Sequence, residues 1–351
     1  MIPIMDAGEY LARVMDLPRP GGEKLLACYE HRLGALVTDP RLMLAPLDDH
    51  MFLRGDGVFE AMKYVQRRIY QLDEHLARMR RSASAVGIVP PCSWDELREL
   101  VLQICRQVAD GSSCACEQAT LTDAGTTTAN STGKIEVASP HPGSENGMIR
   151  LFLGRGPGGF GVDPAECPEA SLYIVISRFA PRPESWYAKG QSGFRTSVPA
   201  KPAYLSQIKD TNYLSAVLMT MEAHSKGKDI PLCFDSDGFL AESAIANICL
   251  VDRAGKLVAP EFRHALPGTT IRRAMALLDE HDAQEGKASR CVIRRIPEAE
   301  IYDAAEVLLL GTSPDCSSIT EYEGKPIGNG SPGPVAALLR KLIRKDIERN
   351  G

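Results

Sequence analysis

The sequence predicts an α+β fold. Two hairpin patterns in the second half carry that prediction: Ile230–Phe234 and Phe239–Glu242 flank Asp237-Gly238, and Ala246–Val251 and Leu257–Val258 flank a turn at Arg253–Gly255. Segments with helical spacing lie between such strands, without the continuing strand–helix–strand alternation of a doubly wound sheet. At 351 residues the chain has the length of about two domains.

In chain order, residues 6–16 read as a short amphipathic helix with Tyr10, Leu11 and Val14 on one side. Pro18, Pro20, Gly21 and Gly22 break it. From about Leu26 the pattern is mixed. Val58–Val65 reads as a strand entered through Gly55-Asp56-Gly57, with Arg68–Leu72 as its partner. Asp73 is placed to cap a helix that runs to Val86 and stops at Gly87, with Leu76, Met79, Ala83 and Val86 as its apolar stripe. A further helix spans Trp94–Val108, with Leu97, Leu100, Val101 and Ile104 inward. Residues 111–147 hold Ser, Thr, Gly, Asn and Ala with little to bury, and are expected to form a mobile surface insertion. Strands follow at Ile149–Leu153 and Leu172–Ser177, and Pro181, Pro183 and Trp186 mark a linker. Phe194–Val198 reads as a strand, and Thr211–Ala223 as a helix with Leu214, Val217, Leu218 and Met221 on its apolar face. A helix over Thr269–Leu278, a buried strand at Val307–Leu310 and a closing helix over Val335–Ile347 complete the series.

Composition excludes several classes. Apolar residues make up 44% and charged residues 24%, and 40 basic against 45 acidic side chains leave a net charge of -5. A mildly acidic chain without Lys/Arg blocks is unsuited to nucleic acid as its main partner. No apolar run approaches the roughly 20 residues of a membrane span. Asp6, Glu9 and Asp16 stand where an export signal needs an apolar core, so a cytoplasmic location with its ten cysteines reduced is expected. Cys114 and Cys116 have no histidine close by, and no metal site is expected.

One motif is set aside. Gly156-Pro157-Gly158-Gly159-Phe160-Gly161 fits GxGxxG after a strand, but Pro164 and Pro168 spoil the helix that a dinucleotide pyrophosphate needs. The stretch reads as a tight loop whose glycines allow a ligand to come near.

Other features make sense as a set. Lys209 follows apolar Ile208 and precedes a helix, where its ammonium is disfavoured; it is either an exposed helix-start lysine or a Schiff-base nucleophile. Glu242 ends the apolar run Phe239-Leu240-Ala241, as a surface strand end or as a buried carboxylate that needs a cationic partner. Leu266-Pro267-Gly268-Thr269-Thr270 opens a helix, either plainly capped by Thr269 or offering free N–H groups and two hydroxyls to an anion. Gly311-Thr312-Ser313 would add donors for the same anion. Arg78 lies beside core-facing Met79, either solvated or at a cavity edge.

Taken in order, the segments from Asp48 to Gly87, from Lys209 to Leu278, and at Val307–Thr312 resemble the class IV, fold-type IV family of pyridoxal-phosphate enzymes. That family includes branched-chain aminotransferases, D-amino acid aminotransferases and 4-amino-4-deoxychorismate lyases. The resemblance implies a smaller N-terminal α/β domain and a larger C-terminal domain with an antiparallel pseudo-barrel. Boundaries follow: an extension over 1–30, the small domain over 31–180 with the polar insertion at 111–147, a linker over 181–190, and the cofactor-binding domain over 191–351. It implies pyridoxal 5'-phosphate as cofactor, with Lys209 bonded to it and Glu242 facing the pyridine nitrogen. Arg78, Thr269, Thr270 and Thr312 would bind the phosphate, Tyr213 the phenolic oxygen, and Leu266 would pack on the ring. Phe59 would line the substrate pocket. Phe160 stands where many bacterial members have an arginine five residues after the one matching Arg155, so Arg155, Lys201 or the 156–161 loop would have to hold the substrate carboxylate. The reaction implied is transfer of an amino group from an amino acid to a 2-oxo acid by a homodimer. The alternatives are a lyase releasing pyruvate and 4-aminobenzoate, and a paralogue that binds the cofactor without turnover.

Overall fold

A computed structural model describes residues 1–110 and 145–350. Almost all of the polar segment expected over 111–147, with Cys114 and Cys116, lies outside the described residues.

The first sheet is antiparallel throughout, in the order β2-β1-β6-β5-β3-β4. Its strands are β1 (Leu25–Glu30), β2 (Ala35–Val37), β3 (Gly57–Val65), β4 (Arg68–Ile69), β5 (Gly147–Gly154) and β6 (Ser171–Arg178). The mixed pattern after Leu26 hid β1, which lies inside this sheet, so the chain enters it before residue 31. Ahead of it, α1 (Ala7–Asp16) starts with a capping box in which Asp6 and Glu9 bond each other's backbone, and buries none of its residues. A short α2 (His50–Arg54) leads into β3.

Helix α3 (Leu72–Ala85) begins one residue before Asp73, and Gln71 in the left-handed region is its N-cap. The expected Arg68–Leu72 strand is therefore cut to Arg68–Ile69. Leu76, Met79 and Ala83 are buried as their spacing requires, while Val86 is half-buried. Helix α4 (Trp94–Ala109) has its own capping box from Ser93 and Glu96. Its Leu97, Val101 and Ile104 meet Met62, Leu76, Ile149 and Ile174 in one apolar core between helices and sheet.

The second sheet has nine strands. They are β7 (Gln191–Arg195), β8 (Ile230–Phe234), β9 (Leu240–Ser243), β10 (Asn247–Val251), β11 (Leu257–Ala259), β12 (Cys291–Ile293), β13 (Glu306–Gly311), β14 (Asp315–Tyr322) and β15 (Lys325–Pro326). Both hairpins read from sequence are present, as β8–β9 and β10–β11. The sheet is not purely antiparallel: β7 runs parallel to both β8 and β14, and β11 runs parallel to β12. Between the sheets the linker holds α5 (Glu184–Lys189).

Helices α6 (Ala203–Ser206) and α7 (Leu214–Lys226) follow β7, α8 (Thr269–Gln284) follows β11, and α9 (Ala299–Asp303) and α10 (Pro334–Asn350) come later. On α7 the apolar residues at helical spacing face outward. Leu214, Val217, Leu218 and Met221 are exposed, and Ala216, Met219 and Ala223 are buried instead. Helices α8 and α10 pack together on one face of the second sheet around Leu278, Leu308 and Leu339.

The two sheets are tied directly. Lys63 of β3 bonds Asp315 of β14 at 2.5 Å, a pair almost out of solvent. Asp315 has a positive φ of 54° and follows the 311–314 turn. The Tyr70 hydroxyl donates to Asp346 of α10 at 2.6 Å.

Candidate active site

A cavity of about 330 Å³ lies between the sheets. Phe59, Arg78 and Arg150 reach it from the first sheet and its helix. Lys209, Tyr213, Glu242, Leu266 and Gly268 line it from the other side, with Thr269, Thr270, Thr312 and Ser313.

Lys209 sits in the segment between α6 and α7, and its backbone belongs to neither. Its carbonyl accepts the Phe59 N–H at 2.9 Å, its own N–H donates to Ser82 Oγ at 3.1 Å, and the next residue, Asp210, bridges Val58 of β3. The lysine is thus pinned to the first sheet and to α3. Its Nζ donates to the Tyr213 hydroxyl at 2.9 Å and lies 4.3 Å from the Phe59 ring centroid. Burial, then the Arg78 charge, lowers its pKa to about 8. An amine held this way is a usable nucleophile and base near neutral pH.

Glu242 projects from β9 onto the same cavity. Its Oε2 accepts the Leu266 N–H at 3.1 Å. Burial outweighs that bond and the cationic neighbours, and raises the carboxyl to about 7. Lys201, also on the cavity wall, is engaged with Asp210 at 2.9 Å.

At the other end α8 begins. No side chain caps it among the described residues, so Thr269 does not serve as its N-cap; Gly268 holds that place. Its first N–H groups have no intrahelical acceptor. A Cβ on Gly268 would come within 2.1 Å of Asn247 Oδ1, so glycine keeps the backbone there close and bare. Gly311, Thr312 and Ser313 line the same cavity. Arg78 bonds Glu60 through Nε and Nη2, at 2.7 and 2.6 Å.

Two expected residues do not belong to this cavity. Arg155 is bound to Asp56 at 2.9 Å and donates to the carbonyls of Val86 and Gly87 at 2.6 and 2.8 Å, which ties a strand end to the end of α3. Phe160 is exposed on the glycine loop. That loop packs on α2, with His50 Nε2 at 2.9 Å from the Gly159 carbonyl and Arg54 Nε donating to Gly161 at 2.9 Å. A one-turn 3-10 segment, Pro164–Glu166, follows it in place of a dinucleotide helix.

Arg150 was not foreseen. Strand alternation could have found it: Ile149, Leu151 and Leu153 are buried on one face of β5, so Arg150 and Phe152 share the other. Phe152 stacks on Phe59, and Arg150 stands opposite Ala61 on the cavity wall. Glu60 and His75 were also missed, and they are buried behind Arg78.

The donor set suits a phosphorylated pyridine aldehyde. It offers a nucleophilic lysine, a carboxylate lacking a strong cationic bond, and a cluster of hydroxyls and free N–H groups at a helix start. Independent comparisons agree. The amino-transferase class IV family model matches residues 57–322. The D-amino-acid transaminase, chloroplastic, of Arabidopsis thaliana is 30% identical over 349 residues, 99% of this chain and 82% of that protein. The branched-chain-amino-acid aminotransferase of Pseudomonas aeruginosa is 33% identical over 307 residues, covering 83% of this chain and 84% of that protein. In structure, the chain superposes with a TM-score of 0.71 on the branched-chain amino acid aminotransferase of Thermobaculum terrenum in its PLP-bound holo-form. That match is 18% identical in sequence and covers 94% of this chain and 96% of that one. The fold is that of fold-type IV.

Proposed function

The chain belongs to the class IV aminotransferases, and on that premise we propose which residues carry the transfer and what they act on. The activity is pyridoxal-phosphate-dependent movement of an amino group from an amino acid to a 2-oxo acid. Bound pyridoxal 5'-phosphate supplies the carbonyl that takes the amine and the ring that accepts the electron pair left by the α-proton.

Lys209 would hold the cofactor and, with its amine free, would move the α-proton as general base and then acid. The Tyr213 hydroxyl, 2.9 Å from Nζ, steers that amine and bonds the phenolic oxygen. Glu242 keeps a proton on the ring nitrogen. Leu266 packs on the ring. Arg78, Gly268, Thr269, Thr270, Thr312 and Ser313 hold the phosphate. Phe59 lines the substrate side. Arg150 takes the carboxylate role that Arg155 and Phe160 cannot fill, because it lines the cavity and donates through Nη1 to Ser177 Oγ at 3.1 Å. The amino donor is a small or medium apolar amino acid and the acceptor 2-oxoglutarate or pyruvate, a reading supported by apolar Phe59, Met148 and Met219 around that cation. Such transfer is expected to exceed any release of 4-aminobenzoate from aminodeoxychorismate.

The working form is a homodimer, supported by the outward apolar stripe of α7 and by exposed Ile245 at the cavity rim. A cytoplasmic location belongs to the same reading. It is supported by the eight described cysteines, all of them free thiols, and cell fractionation tests it.

The observation that carries the assignment is Lys209, a lysine of lowered pKa facing a carboxyl of raised pKa across one cavity. Borohydride reduction of the yellow protein, followed by peptide mapping, is expected to mark Lys209, and Lys209→Ala to lose both the label and turnover. A label on Lys201, Lys226 or Lys228 would reject the assignment.

A further inference from the structure

Behind the phosphate end lies a buried relay that the transfer chemistry does not use. The Glu60 carboxylate accepts from Arg78 Nε at 2.7 Å and Nη2 at 2.6 Å, and His75 Nδ1 stands 2.7 Å from its Oε2. Burial alone would raise this carboxyl, but the hydrogen bonds from Arg78 and His75 win and hold it at about 2. An ionised carboxylate offers only acceptors, so Nδ1 carries the proton. His75 Nε2 then faces Thr269 Oγ1 at 3.3 Å. Burial favours the neutral ring, Glu60 opposes, and the Arg78 and Lys209 charges side with burial. In a neutral ring Nε2 is an acceptor. The Thr269 hydroxyl must therefore donate to it, and turns lone pairs toward the cavity.

A phosphate dianion needs the reverse. It wants the hydroxyl proton, and it adds negative charge where the Arg78 cation is already matched by Glu60. We propose that His75 is a positioning residue: it accepts the Thr269 hydroxyl while the site is free, and takes up a proton from water when a phosphate monoester binds. Nε2–H then donates to Thr269 Oγ1, and the freed hydroxyl donates to the phosphate. This rests on the phosphate placement given above. The charged groups facing His75 are Glu60 from β3, Arg78 from its own helix and Lys209 from the segment before α7. Thr269, from α8, brings no titratable group.

The consequence is specific to the phosphate. The ratio of affinities for a phosphorylated ligand and its dephosphorylated form should fall about tenfold per pH unit above the free-state ionisation of His75.

The test uses the full chain, freed of cofactor, with pyridoxamine 5'-phosphate and pyridoxamine as probes. Neither probe bonds Lys209. Calorimetric titration near pH 8, in two buffers of unlike ionisation enthalpy, reads protons taken up; nitrogen-15 NMR, with His75→Asn for assignment, reads the ring. Expected are more protons taken up with the phosphorylated probe than with pyridoxamine, the ring nitrogen and Glu242 being common to both, and a His75 ring that passes from Nδ1–H to doubly protonated. Tight phosphate-dependent binding without that extra uptake, or with a ring that stays neutral, overturns the role of His75 alone. A phosphorylated probe that binds no better than pyridoxamine overturns the phosphate placement and the relay with it. Should His75→Asn not fold, calorimetry on the unaltered chain still decides, since absence of the extra uptake refutes the proposal.

Discussion

Glu242 is a buried carboxyl whose pKa stays raised despite the Leu266 N–H and the Lys209 and Lys201 charges, as the proposed ring-nitrogen partner would require. Its pKa rises from 4.5 to about 7 on folding, so the folded cofactor-free chain binds more protons than the unfolded chain between those values. Stability of that form should fall as pH rises through this window and stay low above it. Glu242→Gln removes the effect. At pH 8 the cofactor-free variant is expected to melt higher than the parent, while turnover drops by orders of magnitude at about 1.4 kcal/mol of barrier per tenfold. Thermal scans at pH 5 and pH 8 check the sign, since the gain should vanish at the lower pH. Lys209, Glu242 and Thr312 could be singled out in the sequence because each lies beside an apolar run or a turn, and all three line one cavity. Arg155 misled because an arginine beside a glycine loop looks the same whether it greets a ligand or, as here, satisfies two carbonyls and Asp56.

The start of α8 depends on one missing methyl group. At Gly268 the φ of -61° suits any residue, so only the contact with Asn247 forbids a side chain. Gly268→Ala should push Asn247 from its bond to the Leu266 carbonyl, 2.8 Å in length. The expected result is cofactor affinity weakened at least tenfold with far-UV dichroism unchanged, read by equilibrium dialysis. Local patterns revealed most helices and both hairpins, because period and turn chemistry are properties of neighbours in sequence. The parallel pairings of β7 with β8 and β14 join distant segments and leave no such trace. On α7 the spacing locates an apolar stripe but not what covers it.

At the scale of the molecule, an exposed apolar stripe and an ion pair between the sheets each carry a prediction. The homodimer proposed above makes the α7 stripe its contact, and Leu218→Glu should then give monomers by light scattering with reduced turnover, the fold remaining intact. Between the sheets, the Lys63–Asp315 pair has side-chain exposures of 4% and 18%. Burial raises the Asp315 carboxyl, and Lys63 opposes that. Lys63→Met leaves the carboxylate without its cation, a loss of about 3–5 kcal/mol. A fall in urea midpoint with weaker cofactor retention is expected, because Asp315 directly follows the turn that bears Thr312 and Ser313.

Lys209 hangs by its own peptide groups from β3 and α3, elements made well over a hundred residues earlier in the chain. A half-finished molecule can form its hairpins and helices, yet it has no place to set this lysine. The yellow colour should then arrive last in refolding, after tryptophan fluorescence has settled. Its amplitude would count only molecules whose halves have met, which makes the chromophore a built-in gauge of completed assembly.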